Sequence, residues 1–421
     1  MSAISAAPHE PAADARRDAD ADAPAEDVTP TSDEPAAAAE PAAPDKATPA
    51  WRRVHPVALA LGLYVLLRAV GLLILWAYAH RKGIDFWPML HSRYDAVWYA
   101  RIADEGYDHG LVNHLPSGKP RIPNLPFFPL YPGLIAVVAA LTPFSTPVSA
   151  LIVSWTAGLA AAWGLYAVGQ HLGSRRVGLV LVALWATLPH AVVLNMAYTE
   201  TLFTALVAWS LYALLRRQWV TAGLLCVLAG LTRPTATALI AAVGLTALVA
   251  IIRRQDGWRP WAAAALSPLG YLGYLAWVGH RLGRLDGYFY MQKKTWLIGF
   301  DGGVYTVQTL DQVLTEPSRL AFYMSALVMA VAAMLIVLLA VHRHPLPVVV
   351  YSVVFWLVTV GTSGYFYAKG RYLVPAFTVL LPIAMALGRA RRRTQVTVLT
   401  LLVLISGYYG AYLCIIWRSS P

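Results

Sequence analysis

The stretch that best fits a chemical site centres on Asp95, which follows the first long apolar run of the chain. Tyr94, Trp98 and Tyr99 lie beside it in sequence, and we expect all three to line a substrate. A carboxylate can act as a general base towards a hydroxyl nucleophile, and aromatic faces with a few polar groups form typical ligand pockets. The plainer alternative is that Asp95 only caps the helix that begins here, since Asp is a favoured N-cap residue.

Four more ionisable residues interrupt apolar surroundings further along: Glu200, Arg233, Lys369 and Arg371. Ionisable groups at membrane depth are costly and usually functional, although long side chains near span ends also snorkel to the interface. Arginine binds phosphate through paired hydrogen bonds and lysine binds it as a point charge. A carboxylate base, several cations and aromatic walls together favour glycosyl transfer from a lipid-linked phosphosugar.

The composition defines the class of protein in which this chemistry must lie. Hydrophobic residues make up 58% of the 421 residues and charged residues only 13%, which is far too apolar for a soluble multidomain protein. The apolar runs are long enough to cross a bilayer repeatedly. Cys226 and Cys414 both lie inside such runs, so the sequence predicts neither a disulfide framework nor a cysteine metal site.

Charge divides the chain into two parts. Residues 1–50 hold eleven acidic and three basic residues, a net charge of −8, which leaves +19 for the remainder. This Ala/Pro-rich segment lacks the hydrophobicity of a core, so we expect a disordered cytoplasmic tail. In residues 51–421 the arginines punctuate apolar runs, as topology signals do, and they do not indicate nucleic-acid binding.

The apolar runs predict an all-α polytopic membrane protein with about eleven crossings and juxtamembrane helices in its first outer loop. If the short run Phe127 to Leu141 does not cross, every short basic loop falls on the cytoplasmic side with Arg52 and Arg53. The outer loops are then 80–147 and 281–319, and Asp95 and the four other ionisable residues face outward. The predicted spans are Val57 to Ala79, Val148 to Leu172, Val177 to Leu194, Tyr198 to Leu215, Trp219 to Leu231, Thr235 to Ile252, Trp261 to Gly279, Leu320 to Val341, Val348 to Gly364, Tyr372 to Leu387 and Val396 to Trp417.

Five ordered motifs give the sequence a family resemblance. Their residues are Tyr94-Asp95-Ala96-Val97-Trp98-Tyr99 with Ile102-Ala103-Asp104-Glu105-Gly106-Tyr107, then Phe127-Phe128-Pro129-Leu130-Tyr131-Pro132, Tyr198-Thr199-Glu200-Thr201-Leu202-Phe203, Thr232-Arg233-Pro234 and Arg371-Tyr372-Leu373-Val374-Pro375. In order and spacing they resemble the PIG-V-like (GPI mannosyltransferase 2-like) integral membrane mannosyltransferases of the GT-C superfamily, in their bacterial form. The resemblance covers nearly the whole chain after residue 50. The chain departs from the pattern at Ala236 and Thr237, where a glycine or an asparagine is expected.

The resemblance implies a GT-C-type fold and an inverting mannosyltransferase with Asp95 as the catalytic base. The donor is then a polyprenyl-phosphate mannose, and some of Arg233, Lys369 and Arg371 hold its phosphate. Glu200 is expected to orient either the acceptor or an arginine. The acceptor is a glycolipid, a polysaccharide end or a protein hydroxyl outside the cytoplasm. No cofactor is implied, and dependence on a divalent metal stays open.

Three alternatives remain at this point. A transporter or lipid flippase has a similar number of spans, but such proteins tend to show internal repeats and midplane ionisable groups. A GT-C enzyme that uses another lipid-linked sugar has the same general features. A hydrolase more often uses paired carboxylates, and Asp104, Glu105 and Asp108 leave that possibility open. A metal site at His91, His109 and His114 lacks the tight spacing of typical ligands.

Overall fold

The structure is a computed structural model that describes residues 55–111, 113–114, 120–417 and 419–421. The predicted disordered tail, residues 1–50, lies outside the described residues, as do Arg52 and Arg53. The first half of the described chain contains α1 (Pro56–Arg81), α2 (Phe86–His91), α3 (Asp95–Glu105), β1 (Asn113–His114), β2 (Pro120–Arg121), α4 (Leu130–Leu141), α5 (Thr146–Leu172), α6 (Arg175–Ala186), α7 (Glu200–Leu215) and α8 (Trp219–Gly230).

The second half is also helical. It contains α9 (Thr237–Ile252), α10 (Arg259–Leu266), α11 (Leu269–Leu282), α12 (Gly287–Thr295), β3 (Gly299–Phe300), α13 (Val304–Thr315), α14 (Leu320–Val341), α15 (Leu346–Gly361), β4 (Thr362–Ser363), α16 (Lys369–Tyr372), α17 (Leu381–Arg389) and α18 (Arg392–Ala411). Short 3-10 helices cover Ala191–Asn195, Pro234–Ala236, Phe366–Ala368 and Phe377–Leu380, and a π-helical turn covers Tyr412–Ile416. β1 pairs with β2 and β3 with β4, both antiparallel.

The predicted class is confirmed: the protein is an almost entirely helical, multi-pass membrane protein. Within the described part of the chain, five helical segments are long and apolar enough to cross a bilayer: Pro56–Arg81, Thr146–Leu172, Pro234–Ile252, Leu320–Val341 and Arg392–Ile416. A sixth crossing results if the helices on either side of a 73° bend, Phe366–Tyr372 and Phe377–Arg389, form one span. Four shorter apolar helices, α4, α7, α8 and α15, accompany them. The predicted number of about eleven crossings is therefore not confirmed.

Three predicted spans are broken where proline interrupts the helix. The run Val177 to Leu194 is helical only to Ala186 and then passes Pro189 into a 3-10 turn. The run Trp261 to Gly279 divides at Pro268, and Tyr372 to Leu387 divides near Pro375. A proline inside a helix removes one backbone hydrogen bond and clashes with the preceding turn. Because the runs are apolar on both sides of each proline, the span prediction missed these breaks.

A buried arginine lies at the first of these breaks. Arg68, in the middle of α1, is 7% exposed. Its guanidinium donates to the carbonyl of Ala186, the last residue of α6, and to Oδ1 of Asn195 at 3.2 Å. A cation at a helix C-terminus is favourable because the last carbonyls carry negative partial charge. Arg68 therefore holds the start of the irregular segment that leads to Glu200.

The two short helices after α2, α3 and α4, lie in the predicted first outer loop. The hydroxyl of Thr146, at the start of α5, donates to Asp104 of α3 at 2.5 Å, so the chain leaving α4 returns beside α3. α4 has 12 residues and extends about 18 Å, which is short of the roughly 30 Å hydrocarbon core. The helix is too short to cross the bilayer alone.

Arg101, Asp108, Asn124 and Arg281 form a clamp that joins two described parts of the segment between α3 and α4, residues 106–108 and Asn124. Arg101 donates to both carboxylate oxygens of Asp108 at 2.5 and 2.6 Å. Asp108 and Asn124 exchange two bonds between backbone N–H and side-chain oxygen, each of 2.9 Å. Arg281 of α11 donates to the carbonyl of Asp108 at 2.8 Å. The clamp joins the loop to the end of α11.

Candidate active site

Asp95 is the first residue of α3, and its side chain faces another part of the chain. Tyr94 holds the N-cap position without a side-chain cap bond, and its φ of 55° lies in the left-handed region that most side chains avoid. Oδ2 of Asp95 accepts a hydrogen bond of 2.8 Å from Nη1 of Arg371. The carboxylate thus pairs with an arginine. The strained backbone conformation of Tyr94 costs about 1–3 kcal/mol, and strain of this kind often marks a functional site.

Arg371, on α16, is the buried centre of the site. Its side chain is 6% exposed, against 27% for that of Asp95. Nη1 also donates to the hydroxyl of Ser420 at 2.9 Å, and the guanidinium carbon lies 5.3 Å from the ring centres of both Tyr198 and Tyr372. These contacts fix the guanidinium while leaving the Asp95 carboxylate partly accessible. Ser420 carries no sequence signal and was not predicted.

Glu200, the first residue of α7, lies between Arg233 and Arg371. Its carboxylate is almost fully buried, and Oε1 lies 2.8 Å from Nη1 of Arg233 and 3.7 Å from Nε of Arg371. Arg233 also donates to the hydroxyl of Thr199 at 3.0 Å, and that hydroxyl lies 3.3 Å from the Tyr99 hydroxyl. Of the two predicted roles of Glu200, its contacts fit the orientation of arginines.

The structure therefore brings together Asp95, Glu200, Arg233 and Arg371, which we call the charge cluster. Two carboxylates and two guanidinium groups balance in charge, which reduces the cost of removing them from water. The two arginines present donors suited to phosphate. The partly exposed carboxylate beside them can accept a proton from a hydroxyl.

Lys369 does not join the charge cluster, although only one residue separates it from Arg371. Its fully buried ammonium group donates to the carbonyls of Thr359 at 2.6 Å and Thr362 at 2.5 Å, with Val360 at 3.4 Å. These carbonyls belong to the C-terminal end of α15 and the residue after it. All three ammonium donors are occupied, so the contacts of Lys369 fit a cap on α15 rather than the predicted phosphate ligand.

The predicted aromatic residues differ in accessibility. Trp98 stacks on Phe127 at 5.7 Å and meets Trp296 edge-on at 5.1 Å, and it is half-buried. Tyr99 is buried, with its ring edge-on to Phe127 and Tyr131. Burial, with a smaller contribution from the nearby Asp95 carboxylate, raises the pKa of Tyr99 above its usual value, so its hydroxyl stays protonated. Trp98 and Tyr99 form an aromatic wall, and Tyr94 packs against the core.

The three other carboxylates that the sequence analysis considered have structural partners. Asp104 accepts from Thr146, Glu105 lies 3.4 Å from Arg101, and Asp108 belongs to the clamp. These contacts do not form the paired carboxylates of a hydrolase. Among the residues that the structure describes, no group of three His, Cys, Asp or Glu residues could hold a metal ion. The ring of His109 lies 3.0 Å from Arg281, and the side chain of His114 is outside the described set.

Comparisons with known proteins show a likeness in fold. No protein-family model matches the chain, and no curated protein matches it. Among solved structures, the crystal structure of ArnT from Cupriavidus metallidurans bound to undecaprenyl phosphate is similar, with a TM-score of 0.51 and 16% sequence identity. The match covers 80% of this chain and 62% of that one, so the chain spans about three fifths of the length of ArnT.

This likeness shows the GT-C fold for the membrane domain, as the sequence predicts. The likeness concerns the fold alone, and the narrower likeness to PIG-V-like enzymes is not confirmed. The charge cluster lies where the motifs of that resemblance converge: Asp95, Glu200, Arg233 and Arg371 each come from a different one. The fold and the site together define a GT-C-type membrane protein with a balanced, partly exposed ionic centre.

Proposed function

We propose that this protein is an inverting membrane glycosyltransferase that transfers a mannosyl residue from a polyprenyl-phosphate donor to an extracytoplasmic hydroxyl. The GT-C fold supports the class of enzyme. ArnT, whose fold is similar, was solved with undecaprenyl phosphate bound, which supports a lipid-linked donor. Mannose as the sugar rests on the resemblance of the sequence motifs. The acceptor is a glycolipid, a polysaccharide end or a protein hydroxyl.

The single observation that carries the proposal is the contact of 2.8 Å between Asp95 and Arg371. It places a partly exposed carboxylate beside a buried cation. A glycosyl transfer from a phosphosugar needs both: a base for the attacking hydroxyl and a positive group for the departing phosphate. A donor whose phosphate lies against Arg371 presents its sugar to Asp95.

The chemical step follows from these positions. Asp95 takes the proton of the acceptor hydroxyl while the acceptor oxygen bonds to the anomeric carbon from the face opposite the phosphate. The bond between that carbon and the phosphate oxygen breaks, and its electron pair leaves with the polyprenyl phosphate. Arg371 and Arg233 stabilise the charge that develops on the leaving group. Attack from the opposite face inverts the configuration of the sugar.

Glu200 is a positioning residue in this mechanism. It is almost inaccessible, and it holds Arg233 at 2.8 Å and approaches Arg371 at 3.7 Å. Two adjacent guanidinium groups repel each other unless a carboxylate lies between them. Glu200 thus keeps both arginines together before the phosphate arrives. We assign Lys369 to the end of α15 and do not include it among the donor contacts.

The site is proposed to face outward. Glu200 is the first residue of α7, and Arg216 directly follows the last one. The charge cluster and the basic loop Arg216-Arg217 therefore lie at opposite ends of one helix. The same holds for α9, which follows Arg233 and ends before Arg253. Short basic loops favour the cytoplasmic side. This assignment leaves the cluster on the outer face and the chain N-terminus in the cytoplasm.

The test is sugar transfer in membranes that contain the wild type, Asp95→Asn or Asp104→Asn at equal levels, supplied with radiolabelled polyprenyl-phosphate mannose and native acceptors. Asp104→Asn is the matched control, because it removes a carboxylate from the same helix outside the charge cluster. We expect the wild type and Asp104→Asn to label a lipid, polymer or protein fraction, and Asp95→Asn to lose that transfer.

The same assay separates the remaining possibilities. Equal transfer by wild type and Asp95→Asn removes Asp95 from catalysis. Transfer from another lipid-linked sugar, with none from the mannose donor, keeps the enzyme class and changes the sugar. No transfer from any lipid-linked sugar in the presence of native acceptors contradicts the proposal.

A further inference from the structure

A cavity lies at the far end of α7 from the charge cluster. Its volume is about 610 Å³, and it is lined by the end of α5, the end of α7 and the start of α1. Tyr212 lies twelve residues after Glu200 on α7, which places it about 18 Å along the helix axis from the cluster. The cavity is therefore separate from the proposed catalytic site.

The walls of this cavity are amphipathic. Trp163 and Trp209 meet edge-on with their ring centres 5.0 Å apart, and Trp209 lies beside Tyr212 at 5.8 Å. Arg216 lies 5.9 Å above the Tyr212 ring and donates to its hydroxyl at 3.3 Å. Tryptophan, tyrosine and arginine at helix ends are the residues that meet lipid headgroups in membrane proteins. Trp163 is 47% exposed.

Tyr166 supplies an independent sign that the cavity takes a ligand. Tyr166 is one of the residues that line the cavity, and it is only 2% exposed. Among the described residues, its hydroxyl has no hydrogen-bond partner. Leaving a buried polar group unpaired costs about 1–3 kcal/mol, so a buried hydroxyl normally meets a partner. A ligand oxygen in the cavity would provide one.

The charge of the cavity indicates the kind of ligand. Arg216 contributes a permanent positive charge, and no Asp or Glu is among the described lining residues. An anionic group with acceptor oxygens fits both the guanidinium and the Tyr166 hydroxyl. The exposed indole of Trp163 offers apolar surface for the rest of an amphiphile. We propose that this cavity binds the phosphate headgroup of an anionic glycerophospholipid, with its glycerol and upper acyl chains against the tryptophans.

Thermal unfolding of the full-length protein in mixed micelles tests this proposal. Phosphatidylglycerol is added to wild type, Arg216→Gln, Tyr166→Phe and the control Arg393→Gln, which removes an exposed arginine outside the cavity. Binding to the folded state raises the unfolding temperature. We expect the lipid to raise it for wild type and the control. For Arg216→Gln we expect about tenfold weaker binding, since a charged hydrogen bond is lost.

Tyr166→Phe distinguishes a ligand site from a merely structural tyrosine. Without lipid, loss of an unpaired hydroxyl leaves the unfolding temperature unchanged or higher. With phosphatidylglycerol, we expect the increase to be smaller than in wild type. Equal increases in all four proteins overturn the proposal. If inorganic phosphate at the same concentration gives the full increase in wild type, the ligand is a free anion and the lipid assignment is wrong.

Discussion

The side chains of Asp95 and Arg371 meet at 2.8 Å although 276 positions separate them in the chain. α3, between α1 and α5, supplies the carboxylate, and the short helix α16 supplies the cation. Glu200 and Arg233 come from between them. The charge cluster consequently depends on the packing of the whole domain, and neither half of the chain contains a complete site.

In the proposed mechanism Asp95 and the donor phosphate compete for Arg371. Measurements of donor binding test this competition. In Asp95→Asn, the guanidinium loses its charged partner and the site gains one net positive charge. We expect this variant to bind polyprenyl phosphate about tenfold more tightly than wild type, although it is inactive in transfer. Arg371→Gln should bind more weakly than wild type. Titration of the purified proteins with polyprenyl phosphate measures both changes, and weaker binding by Asp95→Asn would contradict this competition.

The stability of the cluster depends on Glu200. Glu200→Gln leaves two buried guanidinium groups near each other with one fewer carboxylate, and removal of one partner from a buried ion pair costs about 3–5 kcal/mol. The double variant Glu200→Gln/Arg233→Gln should lose less than the sum of the two single variants. Chemical denaturation in micelles gives these free energies. Glu316→Gln, an exposed control, should stay within about 0.5 kcal/mol of wild type; additive losses would show that the pair is uncoupled.

Lys369 gives the clearest contrast between the sequence prediction and the structure. Lys369→Met removes the donors to the carbonyls of Thr359 and Thr362, so we expect a loss of about 1–3 kcal/mol in the free energy of unfolding. Because the ammonium group lies outside the cluster, KM for the lipid-linked donor should not change. Steady-state kinetics and thermal unfolding on one preparation measure both. A raised KM without loss of stability would restore the phosphate role predicted from the sequence.

The clamp between α3 and α11 can be tested through Asn124. Its side chain accepts from the backbone of Asp108 and donates to the carbonyl of Gly106 at 3.0 Å, and it is fully buried. Asn124→Ala leaves these groups unpaired, so we expect about 1–3 kcal/mol of local destabilisation and faster proteolytic cleavage within residues 106–128. Thr142→Ala, outside the clamp, should keep the wild-type cleavage rate. An unchanged rate in Asn124→Ala would show that the clamp does not order the loop.

The sequence predicted the residues of the charge cluster better than it predicted the spans. Glu200, Arg233 and Arg371 stand out because ionisable groups are rare in apolar surroundings, Asp95 stands out for its aromatic neighbours, and the predicted topology placed all four at one face. The apolar character of a run does not show whether its helix is continuous, so the breaks near Pro189, Pro268 and Pro375 were missed. Arg68 is the single charged residue in the first apolar run. A charge inside a membrane span is usually functional, but Arg68 was not among the predicted site residues.

Lys369 and Arg371 show how local geometry divides neighbouring residues. Positions i and i+2 of a helix point in different directions, so two cations in one motif cannot both face one phosphate when α16 is helical. The sequence indicates this separation of Lys369 from Arg371 only if a helix is predicted over these residues. The contact of Ser420 with Arg371 depends on the path of the chain after α18, which no motif records.

The position of Arg371 near the end of the chain has a consequence for biosynthesis. A polypeptide emerges from the ribosome N-terminus first, so Asp95, Glu200 and Arg233 enter the membrane before their fourth partner. Until then these three residues carry a net charge of −1. The arrival of Arg371 completes the charge balance, so a chain that stops before residue 371 leaves the Asp95 carboxylate without its buried partner.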